Sequence, residues 1–198
     1  DRFTPTYGKP CYISSQKRDQ PVLEELERLD TKNRRPTPSG LQNEIIDHIY
    51  SRLDHWDALV LLDQVSEANC GVLTSRVRRS IASALAHRSQ PVALADARTR
   101  IGDFKGVILK PNQHEAMAAL GAKGRPSLKA SRLHAQTLSA RTGRPVFLTL
   151  GSKGILVVDD DSIAHIPALR VRGPVDTVGA GDSCSAAISS TLAAGATL

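Results

Sequence analysis

The amino-acid sequence predicts an α/β fold with a doubly wound, mostly parallel β-sheet and helices on both faces. Short apolar runs alternate along the chain with longer segments of helical periodicity. The runs are nearly continuous in apolar residues, which is typical of strands buried on both faces. Because parallel strands need a crossover connection, usually a helix, this alternation favours a parallel sheet. The predicted strands are Asp57–Leu62, Pro91–Asp96, Gly106–Lys110 and Pro145–Leu150.

Helical segments lie between and after these runs. The first carries Ile and Leu residues on one stripe, and Thr and Asn stand where N-caps are expected in two others. Gly143, followed by Pro145, marks the end of the fourth segment. The predicted helices are Ser39–Leu53, Thr74–Arg88, Asn112–Leu120, Ser127–Thr142 and a last one that begins near Gly181.

One segment departs from the alternation. The β-like run Gly154–Val158 follows the last predicted parallel strand almost at once, and the acidic turn Asp159–Asp161 leads into a second β-like run. Two such runs around a short turn predict an antiparallel hairpin. We therefore expect a hairpin near one edge of the sheet.

Residues 1–38 differ in composition from the remainder. They are polar and rich in proline, and prolines and a glycine interrupt the β-type residues of the opening stretch. This pattern is typical of an edge or flap segment, so we expect Thr4–Ile13 to be extended. The stretch "VLEELERL" has helical periodicity in polar, extended surroundings, and both interpretations stay open.

The charge balance favours anionic partners without pointing to nucleic acid. The chain has 26 Lys and Arg against 20 Asp and Glu, a net charge of +6. The basic residues are scattered, with no arginine-rich block and no basic face interleaved with aromatic residues. We therefore expect no nucleic-acid partner. A nucleic-acid-binding domain remains a weak alternative, and steep loss of affinity with salt would reveal it.

The cysteines and the hydropathy favour a cytoplasmic protein without a membrane partner. Cys11, Cys70 and Cys184 are far apart and form no CxxC motif, so we predict neither a disulfide framework nor a zinc site. No apolar run reaches the roughly 18–20 residues of a membrane span, and no signal peptide opens the sequence. The sequence begins at Asp1 and stops at Leu198 inside a predicted helix, and we expect it to be part of a longer protein.

The stretch "PVDTVGAGDS", from Pro174 to Ser183, is the strongest candidate for a functional site. Gly179 and Gly181 let backbone N–H groups approach an anion without interference from a Cβ, and a helix N-terminus adds partial positive charge. Asp182 falls in the first turn of that helix. It either compensates the helix dipole or acts as a general base beside an anion site.

Two other phosphate-binding motifs do not fit this sequence. No segment matches the Walker pattern GxxxxGK[ST]. A Rossmann fingerprint would need a third glycine where Cys184 stands, and an acidic residue about 20 positions further on. Neither is present, so a dinucleotide site is a poor interpretation.

Several motifs together resemble the ribokinase-like (PfkB) family of sugar kinases. "DTVGAGD" resembles the C-terminal signature of that family, "LKPNQHE" its NxxE motif, and "TLGSKG" its Thr-x-Gly-x-x-Gly nucleotide segment. "ALVLLDQVSEANCGVLT" and "VALADARTRIGDFKGVILKPN" resemble its substrate-side loop and its Asp-Pro segment, and the opening "RFTPTYGKP" resembles the heptose-phosphate kinase branch. The motifs occur in family order over most of the chain. The resemblance implies a ribokinase-like fold.

The resemblance also implies roles for individual residues. Asp182 would be the catalytic base. The anion hole would consist of the N–H groups of Gly179, Ala180 and Gly181. The residues implied to organise Mg²⁺ and phosphates, largely through water, are Asn112 and Glu115. The residues implied to line the nucleotide are Asn112, Thr149, Gly151 and Gly154.

Structural alternatives remain open for several of these residues. Taken without the other motifs, Asn112 is better explained as a plain N-cap, and Glu115 as a carboxylate on a helix surface. His114 lies between them without a partner cluster, which favours a surface residue. Lys110 is either a phosphate contact or the polar end of a strand.

By resemblance, the activity is transfer of the γ-phosphoryl group of ATP, with Mg²⁺, to a hydroxyl of a small-molecule sugar or sugar phosphate. The alternative is a non-catalytic regulator that binds a nucleotide or sugar phosphate. An intact Asp182 argues against that alternative, because a sensor needs no base. A homodimer stays an open alternative.

For domain organisation, we expect residues 1–198 to form a single ribokinase-like α/β domain, incomplete at both ends. Residues 1–38 would be a lid or substrate-side segment within it. Where relatives carry Tyr after the strand-end Asp, this chain has Gln64 after Asp63 and then a longer loop. That region faces substrate in the family, so the identity of the sugar stays open.

Overall fold

The computed structural model describes residues 2–14, 22–160, 162–173 and 177–198. The first three residues of the glycine-turn stretch, Pro174–Asp176, and Asp161 of the acidic turn lie outside the described residues. The chain divides into two compact units, Asp1–Pro36 and Thr37–Leu198.

The first unit contains two antiparallel strand pairs. Strand β1 (Thr6–Gly8) pairs with β4 (Leu29–Thr31), and β2 (Cys11–Ser14) pairs with β3 (Val22–Glu25). The expected extended structure within Thr4–Ile13 is confirmed. Of the two interpretations of "VLEELERL", the extended one holds over β3. A helix of so few residues is marginal in water, whereas pairing with β2 satisfies the backbone hydrogen-bonding groups.

The second unit is built around a six-stranded sheet of order β10-β9-β8-β7-β6-β5. Neighbouring strands from β5 to β8 are parallel, and β9 is antiparallel to both β8 and β10. The predicted mostly parallel sheet, with a hairpin of β9 and β10 at one edge, is therefore confirmed. The strands are β5 (Ala58–Asp63), β6 (Val92–Ala97), β7 (Ile108–Leu109), β8 (Val146–Thr149), β9 (Ile155–Asp159) and β10 (Ser162–Ile166).

The helices of this unit begin and end close to the predicted positions. The side chains of Thr74, Asn112 and Ser127 each accept a hydrogen bond from the backbone N–H three residues later, as N-caps do. Gly143 ends the fourth helix in a left-handed conformation, with φ 68°. The helices are α1 (Ser39–Arg52), α2 (Ser75–Leu85), α3 (Gln113–Ala119), α4 (Leu128–Thr142) and α5 (Ala180–Ala193).

Apolar clusters lie on both faces of the sheet. The larger cluster packs residues of α1 to α4, such as Ile81 and Leu138, against strand residues such as Leu148. The smaller cluster lies on the other face, where Ile188 and Leu192 of α5 cover the strand residues Leu94, Ile108, Phe147 and Val157. Helices therefore cover both faces, as the doubly wound interpretation requires.

Strand β5 corrects one expectation. Its apolar run predicts burial on both faces, but Val60 and Leu62 are 38% and 45% exposed, whereas Leu61 is buried. The reason is its place in the sheet: β5 is the last strand in the order, and its second face is covered only in part. An apolar run in the sequence predicts a strand, but it does not predict where that strand lies in the sheet or whether both of its faces are covered.

Among the described residues, none of the helices has both the length and the apolar character that crossing a membrane requires.

Candidate active site

A cavity of about 840 Å³ lies at the carboxyl ends of the parallel strands. Its walls come from the last residues of β5, β6 and β8, from residues shortly after β5, β6 and β7, and from the turn and first residues of α5. Ligands of open α/β sheets bind at this edge, where helix N-termini point. The predicted site residues that line the cavity are Asn112, Glu115, Thr149, Gly179, Gly181 and Asp182.

A second cavity, of about 470 Å³, lies at the opposite end of the parallel strands. Residues at or just before strand starts, such as Val92, Ile108 and Pro145, line it. It contains none of the predicted site residues. We therefore place the candidate active site in the cavity at the carboxyl ends.

The glycine turn leads directly into α5. Gly179 has φ 76° and precedes the first helical residue, Ala180. This left-handed backbone is open to glycine and strained for most other residues. Asp182 is exposed in the first helical turn, where N–H groups have no acceptor within the helix. The N–H of Ala180 donates to the carbonyl of Thr177 at 3.3 Å, and Ala180 is not among the cavity-lining residues.

A buried ion pair lies beside this turn. Lys110, which follows β7, places its Nζ 2.7 Å from Oδ2 of Asp96 in β6. The hydroxyl of Ser185 in α5 donates to the same carboxylate oxygen at 3.3 Å. A Cβ at Gly181 would lie 3.7 Å from Lys110 Nζ, so the ammonium is close to the first turn of α5.

Asn112 and Glu115 form a reciprocal capping box at the start of α3. Asn112 Oδ1 accepts from the N–H of Glu115 at 2.9 Å, and Glu115 Oε2 accepts from the N–H of Asn112 at 2.8 Å. Burial raises the pKa of the Glu115 carboxyl, and its hydrogen bond from Asn112 opposes that rise. Both residues thus have a structural role, and both still line the cavity.

Thr149 is tied to the Asn112 segment through the backbone. The N–H of Thr149 donates to the carbonyl of Pro111 at 2.9 Å, and Asn112 and Thr149 form a parallel β-bridge. This contact brings the ends of β7 and β8 together. Two of the motifs that the sequence singled out are therefore adjacent at one edge of the sheet.

Gly151 and Gly154 do not line the cavity. Gly154, with φ 97°, has a structural reason to be glycine, because an added Cβ would lie 1.9 Å from the carbonyl oxygen of Ile166. Gly151 also has a positive φ, 61°, with open space around it. Their implied contact with a nucleotide stays a prediction.

The cavity also contains residues to which the sequence motifs assigned no individual role. Asp96 and Arg98 line it beside Lys110, and Gln64 lines it after β5. Arg98 Nε donates to Gln64 Oε1 at 3.0 Å. Asp96 ends a predicted strand, and Gln64 and Arg98 each lie two residues beyond one, a signal that could have identified them.

Solved structures resemble this fold. A mutant of phosphofructokinase-2 from Escherichia coli matches with a TM-score of 0.66 at 20% identity, over 87% of this chain and 56% of that one. Ribokinase from Thermotoga maritima matches with a TM-score of 0.55 at 20% identity, over 94% and 57%. The likeness shows that the chain has a ribokinase-like α/β fold.

Residues 89–198 match the pfkB family of carbohydrate kinases, and this match covers more than half of the chain. The chain therefore belongs to the pfkB carbohydrate kinase family. It is 30% identical to the bifunctional protein HldE of Hyphomonas neptunium over 88% of this chain, and 31% identical to that of Koribacter versatilis over 87%. It spans 35% of the length of each of these relatives.

Proposed function

We propose that this chain carries the phosphoryl-transfer centre of an ATP-dependent kinase acting on a sugar or sugar phosphate. One observation carries the proposal: Asn112, Thr149 and Asp182 line a single cavity at the carboxyl ends of the parallel strands. These residues belong to three motifs far apart in the sequence. At that edge, where ligands of open α/β sheets bind, they line the cavity together with the charged side chains of Lys110 and Glu115.

Asp182 is the proposed general base. Its carboxylate accepts the proton of the acceptor hydroxyl as that oxygen attacks the γ-phosphorus of ATP, and the bond from this phosphorus to the bridging oxygen of ADP breaks. Asp182 is exposed and lines the cavity, so an acceptor hydroxyl can reach it. The product is a phosphorylated sugar, and ADP leaves.

The first turn of α5 is the proposed anion site for the transferring group. Free N–H groups and the positive end of the helix dipole stabilise charge on phosphoryl oxygens. Because the N–H of Ala180 is engaged with Thr177, we assign this role first to the N–H groups of Gly179 and Gly181. Lys110 adds a positive charge close to Gly181.

Thr149, with Gly151 and Gly154, is the proposed nucleotide side of the cavity, as the family motif implies. Thr149 is the last residue of β8, and Gln64 follows β5 at the far side, with β6 and β7 between them. We therefore assign the other substrate, the sugar or sugar phosphate that accepts the phosphoryl group, to the Gln64 side of the cavity. We assign Asp182, which also lines the cavity, to the transfer centre between the two substrates.

Asn112 and Glu115 are the residues that would hold Mg²⁺. The single amide oxygen of Asn112 and one of the two carboxylate oxygens of Glu115 accept hydrogen bonds in the capping box, and no group of three or more His, Cys, Asp or Glu side chains that could hold a metal occurs among the described residues. A few carboxylate and amide oxygens fit an ion that keeps most of its waters. Bound Mg²⁺ neutralises charge on the β- and γ-phosphates.

ADP release with a panel of acceptors tests the proposal. The panel contains pentoses, hexoses and heptoses, each with its terminal monophosphate, with ATP and with or without Mg²⁺. We expect ADP release that depends on one class of acceptor and stops on chelation of Mg²⁺ by EDTA. Binding of ATP or of a sugar phosphate without any transfer would instead support the non-catalytic regulator.

A further inference from the structure

The loop between β5 and α2 forms the wall of the cavity farthest from Thr149. Gln64 is its first residue and lines the cavity. Since β6 and β7 separate β5 from β8, the two walls are about 14–15 Å apart at ordinary strand spacing. Under the proposed function, the nucleotide lies on the Thr149 side, and Gln64 faces the acceptor.

Arg100 makes a set of contacts with the start of this loop. Its Nε and Nη2 donate to both oxygens of the Asp63 carboxylate, at distances of 3.0 to 3.2 Å. Nη1 donates to the carbonyl of Ser66 at 2.8 Å, and Nη2 also donates to the carbonyl of Val65. One guanidinium thus binds the residue before Gln64 and the two residues after it.

Asp63 is buried and belongs to a charge-balanced cluster. It is 4% exposed, and Arg78 Nη1 of α2 lies 3.7 Å from its Oδ2. Arg78 in turn pairs with Asp103 at 3.0 Å and packs over the ring of Phe104. The Asp63 carboxylate therefore has two cationic neighbours, Arg78 and Arg100. Because this carboxylate is buried, the Arg100 guanidinium binds a partner that is shielded from solvent.

A second contact passes from the same connection to Gln64 itself. Arg98 Nε donates to Gln64 Oε1 at 3.0 Å, and the N–H of Arg98 donates to the carbonyl of Asp63 at 3.2 Å. Arg98 and Arg100 both lie in the connection between β6 and β7. This connection therefore determines where Gln64 stands relative to the cavity.

We propose that Arg100 is a positioning residue for the acceptor: by holding Asp63 and the carbonyls of Val65 and Ser66, it fixes Gln64 on the acceptor side of the cavity. This proposal rests on the proposed kinase function. The planar fork of arginine binds a carboxylate through two nitrogens and has donors left for the carbonyls. A lysine ammonium keeps the charge but not this geometry.

Hydrogen exchange tests the contact independently of activity. In the intact protein, Arg100→Ala should speed exchange of the amides of residues 64–66 roughly tenfold, because local opening becomes easier when the contacts that close the loop are lost. Arg100→Lys should show a smaller increase. Arg76→Ala is the matched control, since Arg76 is an exposed arginine of α2. In this variant, the amides of residues 64–66 should exchange at the same rate as in the wild type.

Steady-state kinetics tests whether Arg100 positions the acceptor. The substrates are ATP and the sugar phosphate that has the highest kcat/KM in the acceptor panel. A loosened loop loses contacts with the bound acceptor, so the acceptor KM should rise roughly tenfold, and kcat should fall by no more than the ~100-fold that a displacement of ~1 Å can cost. The KM for ATP should stay within about twofold of the wild type, because the nucleotide side is separate. Arg100→Lys should recover part of the loss.

A double-mutant cycle with Gln64→Ala decides whether Arg100 acts through Gln64. If it does, Gln64→Ala combined with Arg100→Ala should raise the acceptor KM no further than Gln64→Ala alone. Three results would overturn the positioning role. They are unchanged hydrogen exchange of residues 64–66 in Arg100→Ala, equal rises of the KM for ATP and the KM for the acceptor, and fully additive effects of the two substitutions on the acceptor KM.

If Arg100→Ala fails to fold, Arg100→Lys replaces it in the cycle. A full-length wild type that phosphorylates no acceptor overturns the proposed function instead, whatever the hydrogen exchange of residues 64–66 shows.

Discussion

The ammonium of Lys110 and the carboxylate of Asp96 form a buried ion pair, 2.7 Å apart, at the ends of neighbouring parallel strands. The pair joins β6 and β7 directly behind the first turn of α5, where Ser185 also contacts Asp96. It therefore links the sheet edge, which supplies the cavity walls, to the helix that supplies Asp182.

Removing one partner of this pair should destabilise the fold. Lys110→Met leaves the Asp96 carboxylate buried without its cation, and breaking a buried pair in this way costs about 3–5 kcal/mol. We expect the free energy of unfolding in urea to fall by that amount. Lys129→Met, at an exposed lysine of α4, is the control and should change it by less than about 0.5 kcal/mol.

The double variant Lys110→Met with Asp96→Asn distinguishes the energy of the ion pair from the energy lost through poorer packing of the two side chains. The double variant buries no unpaired charge, so its destabilisation should be smaller than the sum of the two single effects by about 1 kcal/mol or more. Additive single effects would mean that the two groups do not stabilise each other.

Gly154→Ala should destabilise the hairpin edge of the sheet. The added Cβ would lie 1.9 Å from the carbonyl oxygen of Ile166, and the backbone has φ 97°. Gly173→Ala is a matched control, because Gly173 has φ 94° and open space around it. The control carries only the backbone strain, about 1–3 kcal/mol, and overpacking should add about 1–3 kcal/mol to Gly154→Ala. Equal losses in thermal or urea unfolding would show that the close approach is not a constraint.

Local signals in the sequence were enough for most of the fold. Apolar runs and their helical spacers predicted the parallel strands, and single residues such as Asn112 and Gly143 predicted where helices begin and end. These features depend on neighbours a few residues away. The hairpin of β9 and β10 was predictable for the same reason, because a short turn joins its strands.

Contacts across the sheet were not predictable in this way. Asp63 and Arg100 are far apart in the sequence, and nothing local indicates that they meet. The exposure of Val60 depends on β5 being the last strand in the order, which only the assembled sheet determines. For the site, motifs identified Asn112 and Asp182, and the family resemblance assigned the Gln64 region to the substrate side, whereas only the tertiary structure brings Arg98 to the cavity.

Glu115 should make stability depend on pH. Burial raises the pKa of its carboxyl above the usual 4.5, so the folded chain binds the proton more tightly than the unfolded chain. The contribution of this carboxyl to the free energy of unfolding is therefore full below about pH 4.5, and it is lost as the pH rises through the higher pKa of the folded state. Glu115→Gln keeps an oxygen that can accept from the Asn112 N–H, but it does not titrate.

The measurement is the free energy of unfolding as a function of pH for both proteins. We expect the wild type to lose stability relative to Glu115→Gln on going upward through that window, with no further difference above it. A relative gain of wild-type stability with rising pH would contradict the sign, and would mean that the hydrogen bond from Asn112 outweighs burial.

Asp182→Asn gives the most direct test of the proposed chemistry. Asparagine has the size of aspartate but cannot take up the proton of an acceptor hydroxyl, so kcat should fall by about 100-fold or more, the usual contribution of a positioned base. ATP affinity, measured by calorimetry, should stay close to that of the wild type. If Asp182 only compensates the dipole of α5, the variant should instead lose about 0.3–1 kcal/mol of stability with little change in turnover. Measuring kcat, ATP affinity and Tm on one preparation separates the two roles, and near-normal turnover would show that Asp182 is not the base.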